Sequence, residues 1–325
     1  MSFPFNFFAA AFLGAWLTSL LTLPLWRRWC LRAGHVDEPG HRKIHETAVP
    51  LAGGFAVLTG ILFPLALGAG LLESGLIKLS AAGLIVHGVD RRALELAVLA
   101  AGAVAVTVLG ALDDRHELKA LPKFIGQVVI AIAVAAACKR ITLFVPSAIF
   151  SYTITVLWLL TVINAFNFMD NMNGLCAGLG AIGALIFAFI AAADQEYLVA
   201  ITGFLMCGAL AGFLPWNFPR ARAFLGDAGS QLVGYLLAVM AILPHFYTKH
   251  HPHPLAVLSP LLVLFVPLAD LAQVTVFRTL IRKPFWIGDT NHLSHRLVRR
   301  GLSRTQAVLF LWSIGAAIGA AACWL

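Results

Sequence analysis

Charge is what this chain has least of. Asp, Glu, Lys and Arg make up 12% of its 325 residues, about half the share usual in a soluble domain. That excludes a free-standing water-soluble domain of this size. Cysteine is scarce too. Cys30, Cys138, Cys176, Cys207 and Cys323 are scattered without a CxxC pair, which argues against a zinc site or a disulfide framework. There is no internal repeat and no low-complexity linker. The net charge of +8 has no soluble basic domain to sit on, so nucleic acid is a poor partner. The first apolar run has no basic flank before it and no small-residue cleavage site after it, unlike a secretory signal.

What is present is apolar. Hydrophobic residues reach 60%, in repeated runs of about 20, the length that crosses a bilayer as a helix. The pattern predicts an all-α polytopic transmembrane bundle, one integral-membrane domain over residues 1–325. Ten spans are expected, at about 3–26, 51–72, 92–112, 122–138, 150–168, 174–193, 197–215, 230–248, 254–276 and 305–324. Gly75–Gly88 is too short and interrupted for an eleventh. The loops after the odd-numbered spans hold 17 of the 23 Lys and Arg. The positive-inside rule makes that side cytoplasmic and puts both termini in the periplasm. Counting an eleventh span would divide the basic loops between the two faces.

Polar residues cluster at the cytoplasmic ends of the spans. Asn164, Asn167, Asp170, Asn171 and Asn173 lie between two apolar runs. Polar groups at membrane depth mark a working site or an interhelical seam. If the helix continues, Asn164, Asn167 and Asn171 share one face. Span three ends in Asp113-Asp114, followed by Lys123 and Gln127. Carboxylates at a helix C-terminus oppose the macrodipole, so Mg²⁺ ligation or general-base work explains them better than a solvated loop start. Asn217 and Pro219 precede Gly226-Asp227-Ala228-Gly229-Ser230. There the free N–H groups of a helix start and a carboxylate suit an oxyanion and its cation, or Asp227 is simply an N-cap. Asp270, inside span nine, is a functional residue or a partner for Arg278. In the last loop, Asp289 or Thr290 as N-cap puts His292, His295 and Arg296 on one helix face, suited to phosphate or to the membrane interface. Arg42, Lys43 and His45 stand before Gly53-Gly54 in the first loop. His245, His250, His251 and His253 read as a solvated outside loop.

In this order the motifs resemble the polyprenyl-phosphate N-acetylhexosamine-1-phosphate transferases, the family that makes lipid-linked sugar precursors of bacterial envelope polymers. Arg42-Lys43-x-His45, Asp113-Asp114 with Lys123, Asn164-x-x-Asn167-x-x-Asp170, Asn217 ahead of Gly226-Asp227-x-Gly229-Ser230, Asp270, and His292-x-x-His295-Arg296 carry the resemblance, from about residue 40 to 300. It implies an inner-membrane enzyme with cytoplasmic active-site loops at about 27–50, 113–122, 167–174, 216–230 and 278–304. The implied reaction moves a HexNAc-1-phosphate from a UDP-N-acetylhexosamine, GlcNAc first, to undecaprenyl or another polyprenyl phosphate and releases UMP. It implies Mg²⁺, with Mn²⁺ as a substitute, and a homodimer. By the same analogy Asp227 and Asp170 hold the metal, and Asp113, Asp114 and Asp227 are catalytic. His45, Lys123, Asn164, Asn167, Asp170, Asn217, His292, His295 and Arg296 hold substrate.

Two stretches depart from the family pattern. Asp170-Asn171-Met172-Asn173-Gly174 stands where the family commonly reads Asp-Gly-x-Asp-Gly, and Ser294 stands at a position that is often His. The first loses a charge at Asn173 and the second removes a cation. The last loop is closer to the branch using UDP-GlcNAc than to the triple-histidine branch using UDP-MurNAc-pentapeptide. A non-catalytic homologue is the reading those departures motivate. A secondary transporter of an anionic solute is the alternative of another class, although such folds show paired repeats and a midplane site.

Overall fold

The computed structural model describes residues 4–38, 47–74, 92–138, 140–244, 254–284 and 290–324. Its helices are α1 (Phe5–Ala33), α2 (Gly53–Glu73), α3 (Ala93–His116), α4 (Ala120–Ala137), α5 (Ala148–Met169), α6 (Leu175–Ala193) and α7 (Tyr197–Asn217). Then follow α8 (Gly226–Met240), α9 (Ser259–Val263), α10 (Phe265–Leu280), α11 (Leu293–Arg299) and α12 (Arg304–Ala321). Strands β1 (Val36–Asp37) and β2 (Val49–Pro50) form one antiparallel ladder, with Val36 opposite Pro50. The expected all-α membrane bundle is observed. Among the described residues, α1–α7 and α12 are each long and apolar enough to cross a bilayer.

The remaining two expected spans differ from a plain crossing. The ninth is bent by 76° between Leu255–Val263 and Phe265–Leu280. Pro267 explains the position of the break: it has no N–H for the Val263 carbonyl four residues back, so the ladder stops there. The eighth, α8, has 15 residues. At 1.5 Å per residue it is about 22 Å long, short of a hydrocarbon core of about 30 Å. It is also the hub. It packs against α2, α3, α5 and α6, and every residue in it except Asp227 is buried.

Small residues let the backbones close in on the start of α8. A Cβ on Gly54 would lie 2.5 Å from the Gly229 nitrogen, and one on Gly110 would lie 2.5 Å from the Ala228 nitrogen. The first N–H groups of α2, orphaned as in any helix start, are satisfied from the segment before α8. Gly53 donates to the Phe224 carbonyl at 2.9 Å and Gly54 to the Leu225 carbonyl at 3.0 Å. Phe224 in turn donates to the Pro50 carbonyl at 3.0 Å. The β1–β2 ladder and the α7–α8 loop are thereby sewn together at one end of the bundle. All five cysteines are free.

Candidate active site

The adjacent acids Asp113 and Asp114 occupy the last turn of α3, which is closed by Glu117 in a left-handed conformation. Their own helix dipole disfavours them there, but a second helix compensates. Asp114 accepts hydrogen bonds from the backbone N–H of Asp227 at 2.8 Å and of Ala228 at 3.1 Å, so it caps α8 from outside. Gly226, at φ 72°, makes that approach possible, since a Cβ there would lie 2.7 Å from an Asp114 carboxylate oxygen. Asp113 faces the other way. Its Oδ1 accepts from the Leu118 N–H at 2.9 Å, and its Oδ2 lies 2.6 Å from Lys123 Nζ.

Lys123, from the first turn of α4, is the cation at the centre. Its Nζ donates to Asp227 Oδ2 at 2.5 Å and to Asn167 Oδ1 at 3.0 Å. Asn167 completes the group, donating to Asp227 Oδ1 at 2.8 Å and to Ser230 Oγ at 3.0 Å. Asp170 follows α5 and lies near the Gly226 N–H. Removal from water pushes its carboxyl up to about 8, and the charges of Asp227 and Asp114 push the same way. Two carboxylates, Asp113 and Asp227, thus share one lysine, while Asp114 holds the backbone at the start of α8.

A second cluster carries the imidazoles. His292 is the N-cap of α11, so the helix starts two or three residues later than Asp289 or Thr290 would have placed it; Asp289 lies outside the described residues. Buried Asp270 sets this start. Its Oδ2 lies 2.6 Å from His292 Nδ1, and its Oδ1 accepts from the Leu293 N–H at 2.6 Å. His292 also meets Phe168 edge-on at 6.0 Å, and the Arg278 guanidinium sits 5.2 Å over the same ring. Phe168 therefore joins this cluster to the helix carrying Asn167. His295 stands 6.2 Å from His292, ring centre to ring centre. Its pKa is lowered by partial burial and then by the charges of His292, Arg299 and Arg304. Arg296 turns back to the Asn291 carbonyl at 3.1 Å and lies over Phe277.

The structure separates some residues that the sequence grouped. Helix α5 ends at Met169, so Asn171 does not continue the face of Asn164 and Asn167. Asn164 sits deeper, donating to Gln127 Oε1 at 2.9 Å and to the Leu160 carbonyl. Gln127 passes the chain on to Gln231 at 2.9 Å, and the three amides form an interhelical seam. Asn217 accepts from the Gly174 N–H and donates to the Ala223 carbonyl at 3.0 Å, which fixes two loops relative to each other. Asn173 donates to the Pro219 carbonyl at 3.3 Å. Arg42, Lys43, His45 and the outside histidines fall outside the described residues.

His35 gave no signal in the sequence. It is 4% exposed, and its Nε2 has no hydrogen-bond partner among the described residues while lying 3.9 Å from Asp114 Oδ2. Burial and the positive charge of Arg115 hold its pKa below the usual value.

Hard oxygen donors in excess over cations are what a divalent ion requires. Among the described residues no three His, Cys, Asp or Glu side chains complete a coordination sphere by themselves. Mg²⁺ takes one or two carboxylates and fills the rest of its shell with water and substrate phosphates; the carboxylates gathered here are hard oxygen donors of that kind.

A model described as glycosyl transferase family 4 matches residues 96–245. A Bacillus subtilis (strain 168) protein named "Probable undecaprenyl-phosphate N-acetylglucosaminyl 1-phosphate transferase" is 30% identical over 94% of this chain and 81% of its own length. A Mycobacterium tuberculosis (strain ATCC 25618 / H37Rv) protein named "Decaprenyl-phosphate N-acetylglucosaminephosphotransferase" is 34% identical over 94% of this chain and 79% of its own. An Escherichia coli (strain K12) protein named "Undecaprenyl-phosphate alpha-N-acetylglucosaminyl 1-phosphate transferase" is 28% identical over 88% and 75%. The chain belongs to the polyprenyl-phosphate N-acetylhexosamine-1-phosphate transferases of glycosyl transferase family 4.

Proposed function

We propose that the chain transfers GlcNAc-1-phosphate from UDP-GlcNAc to a polyprenyl phosphate at the cytoplasmic face of the inner membrane. A phosphate oxygen of the lipid bonds to the β-phosphorus of the nucleotide sugar. The bond from that phosphorus to the bridging oxygen breaks, and UMP leaves. Such a transfer needs positioning and charge neutralisation more than covalent help. The observation that carries the reading is the convergence of Asp113, Asp170, Asp227, Lys123 and Asn167, from four helices and a loop start, at one end of the bundle.

Asp227 and Asp170 are the residues to hold Mg²⁺, or Mn²⁺ in its place. When bound, the ion neutralises and orients the diphosphate. Asp114 is committed to the backbone of α8 and so positions Asp227. Asp113 is the carboxylate left to orient the lipid phosphate and take its proton, with Lys123 beside it as counter-charge. Asn167 fixes Asp227 in rotation. His292 and His295 supply donors to the remaining phosphate oxygens. The basic loops give the same end of the bundle its cytoplasmic orientation. A dimer is compatible with this arrangement, and the site is built within one chain.

The test is UMP release by the purified chain with undecaprenyl phosphate, UDP-GlcNAc and Mg²⁺. Asp227→Ala is expected to lower release by at least about a thousandfold while the protein stays folded in detergent. No UMP from any UDP-HexNAc with folded wild type would refute the reading.

A further inference from the structure

We propose that Asn171 and Ser294 form a latch that sets the register between the Asp170 loop and α11, and with it the grip on the nucleotide-sugar diphosphate; the proposal rests on the transferase reading above. The Ser294 hydroxyl donates to Asn171 Oδ1 at 2.6 Å. Ser294 is fully buried, so its hydroxyl faces the loop and offers nothing to a ligand. Asn171 is itself held, since its Nδ2 donates to the Phe168 carbonyl at 2.8 Å.

The placement gives the bond its leverage. Asn171 directly follows Asp170. Ser294 lies between His292 and His295 on a helix of seven residues. Asp270 pins the start of that helix through His292 and the Leu293 N–H. α11 also packs on α12 and lays Leu293 and Leu297 against the hydrophobic core, and the Ser294 bond is the point that ties it to the loop after Asp170. The imidazoles then stand at a fixed distance from the carboxylate loop, as a diphosphate between them requires.

The two partners are also two of the places where the chain leaves the family pattern. With glycine at 171, the buried Ser294 hydroxyl would lose its acceptor. A histidine at 294 would have to enter a fully enclosed position. Each departure fits the other, and the pair exchanges a cation near the phosphates for a tie between loop and helix.

A double-mutant cycle tests this on the full chain in detergent, with wild-type UMP release measured first. Asn171→Ala and Ser294→Ala should each lower kcat/KM for UDP-GlcNAc about tenfold, mainly through KM, because a buried hydrogen bond is lost. The double variant should also be down about tenfold, since only one bond exists to lose. Ser294→Cys, with a weaker donor of similar size, should fall between wild type and Ser294→Ala, and KM for the lipid phosphate should stay within about twofold. Additive losses of about a hundredfold would overturn the latch. So would coupling visible in melting temperature with kcat/KM unchanged. Absence of UMP release by wild type would instead refute the transferase reading, and the assigned role of the latch with it.

Discussion

Gly110→Ala should disable the site without touching a polar side chain. Gly110 lies one turn before Asp113, against the first turn of α8. A Cβ there would stand 2.5 Å from the Ala228 nitrogen and 2.5 Å from the Asp227 carbonyl carbon, where ordinary contact begins near 3.4 Å. The backbones must therefore part by about 1 Å in an interior that does not compress. The Asp114 bonds to the N–H groups of Asp227 and Ala228, now 2.8 and 3.1 Å, would stretch beyond hydrogen-bond range. Overpacking costs about 1–3 kcal/mol. Losing two bonds to a carboxylate adds about 1.5 kcal/mol or more each. A 1 Å displacement of Asp227 should also cost about a hundredfold in turnover. The assay is UMP release beside thermal unfolding in the same detergent. Gly68→Ala is the control, because nothing lies within 4 Å of a Cβ there. Wild-type turnover and melting temperature in Gly110→Ala would refute the packing argument.

Three further outcomes are expected. Lys123→Met removes the ammonium between Asp113 and Asp227, leaving the carboxylates to repel; stability should fall by about 3–5 kcal/mol and UMP release at least about a hundredfold, and unchanged melting would contradict the bridge. Asp170 has a folded pKa of about 8 against an ordinary 3.8, so the folded protein keeps a proton that the unfolded chain has released. That contribution is complete below 3.8 and is lost as pH rises to about 8. In chelator, melting temperature should therefore drop more steeply from pH 6 to 8 in wild type than in Asp170→Asn, and parallel profiles would refute it. EDTA should reduce UMP release to background and Mg²⁺ or Mn²⁺ restore it; full activity in EDTA would exclude the metal.

Hydropathy made most of the helices legible, because a lipid-facing span must hold an apolar stretch long enough to cross, as α1–α7 and α12 each do. It ran past the end of α8, whose helix stops at Met240; residues 245–248 of that expected span lie outside the described residues. A run surrounded by protein reads like one surrounded by lipid, and neither periodicity nor length tells them apart. The bend was written in Pro267, but the sequence alone does not say whether a proline kinks a helix or breaks it. For the site, residue type announced Asp113, Asp170, Asp227 and His292. Their division of labour was hidden, since Asp114 and Asp270 act through N–H groups on other elements and those partners exist only after packing. Asn164 and Asn217 show the converse: amides matching a binding motif, yet joined to a helix seam and to loop backbone. His35 was invisible because nothing in a lone histidine after a helix end points to a carboxylate that folding brings near it.

The enclosure of α8 by its neighbours, Asp227 apart, bears on how the protein lives in membranes of varying thickness. A bilayer that thins or swells pulls on the helices it wets, which respond by tilting. The segment bearing Asp227 has no surface wetted by lipid, so stretching reaches it only after being shared among four neighbours. Changes in acyl-chain length should therefore alter how the bundle leans in the membrane well before they alter the spacing of its acids.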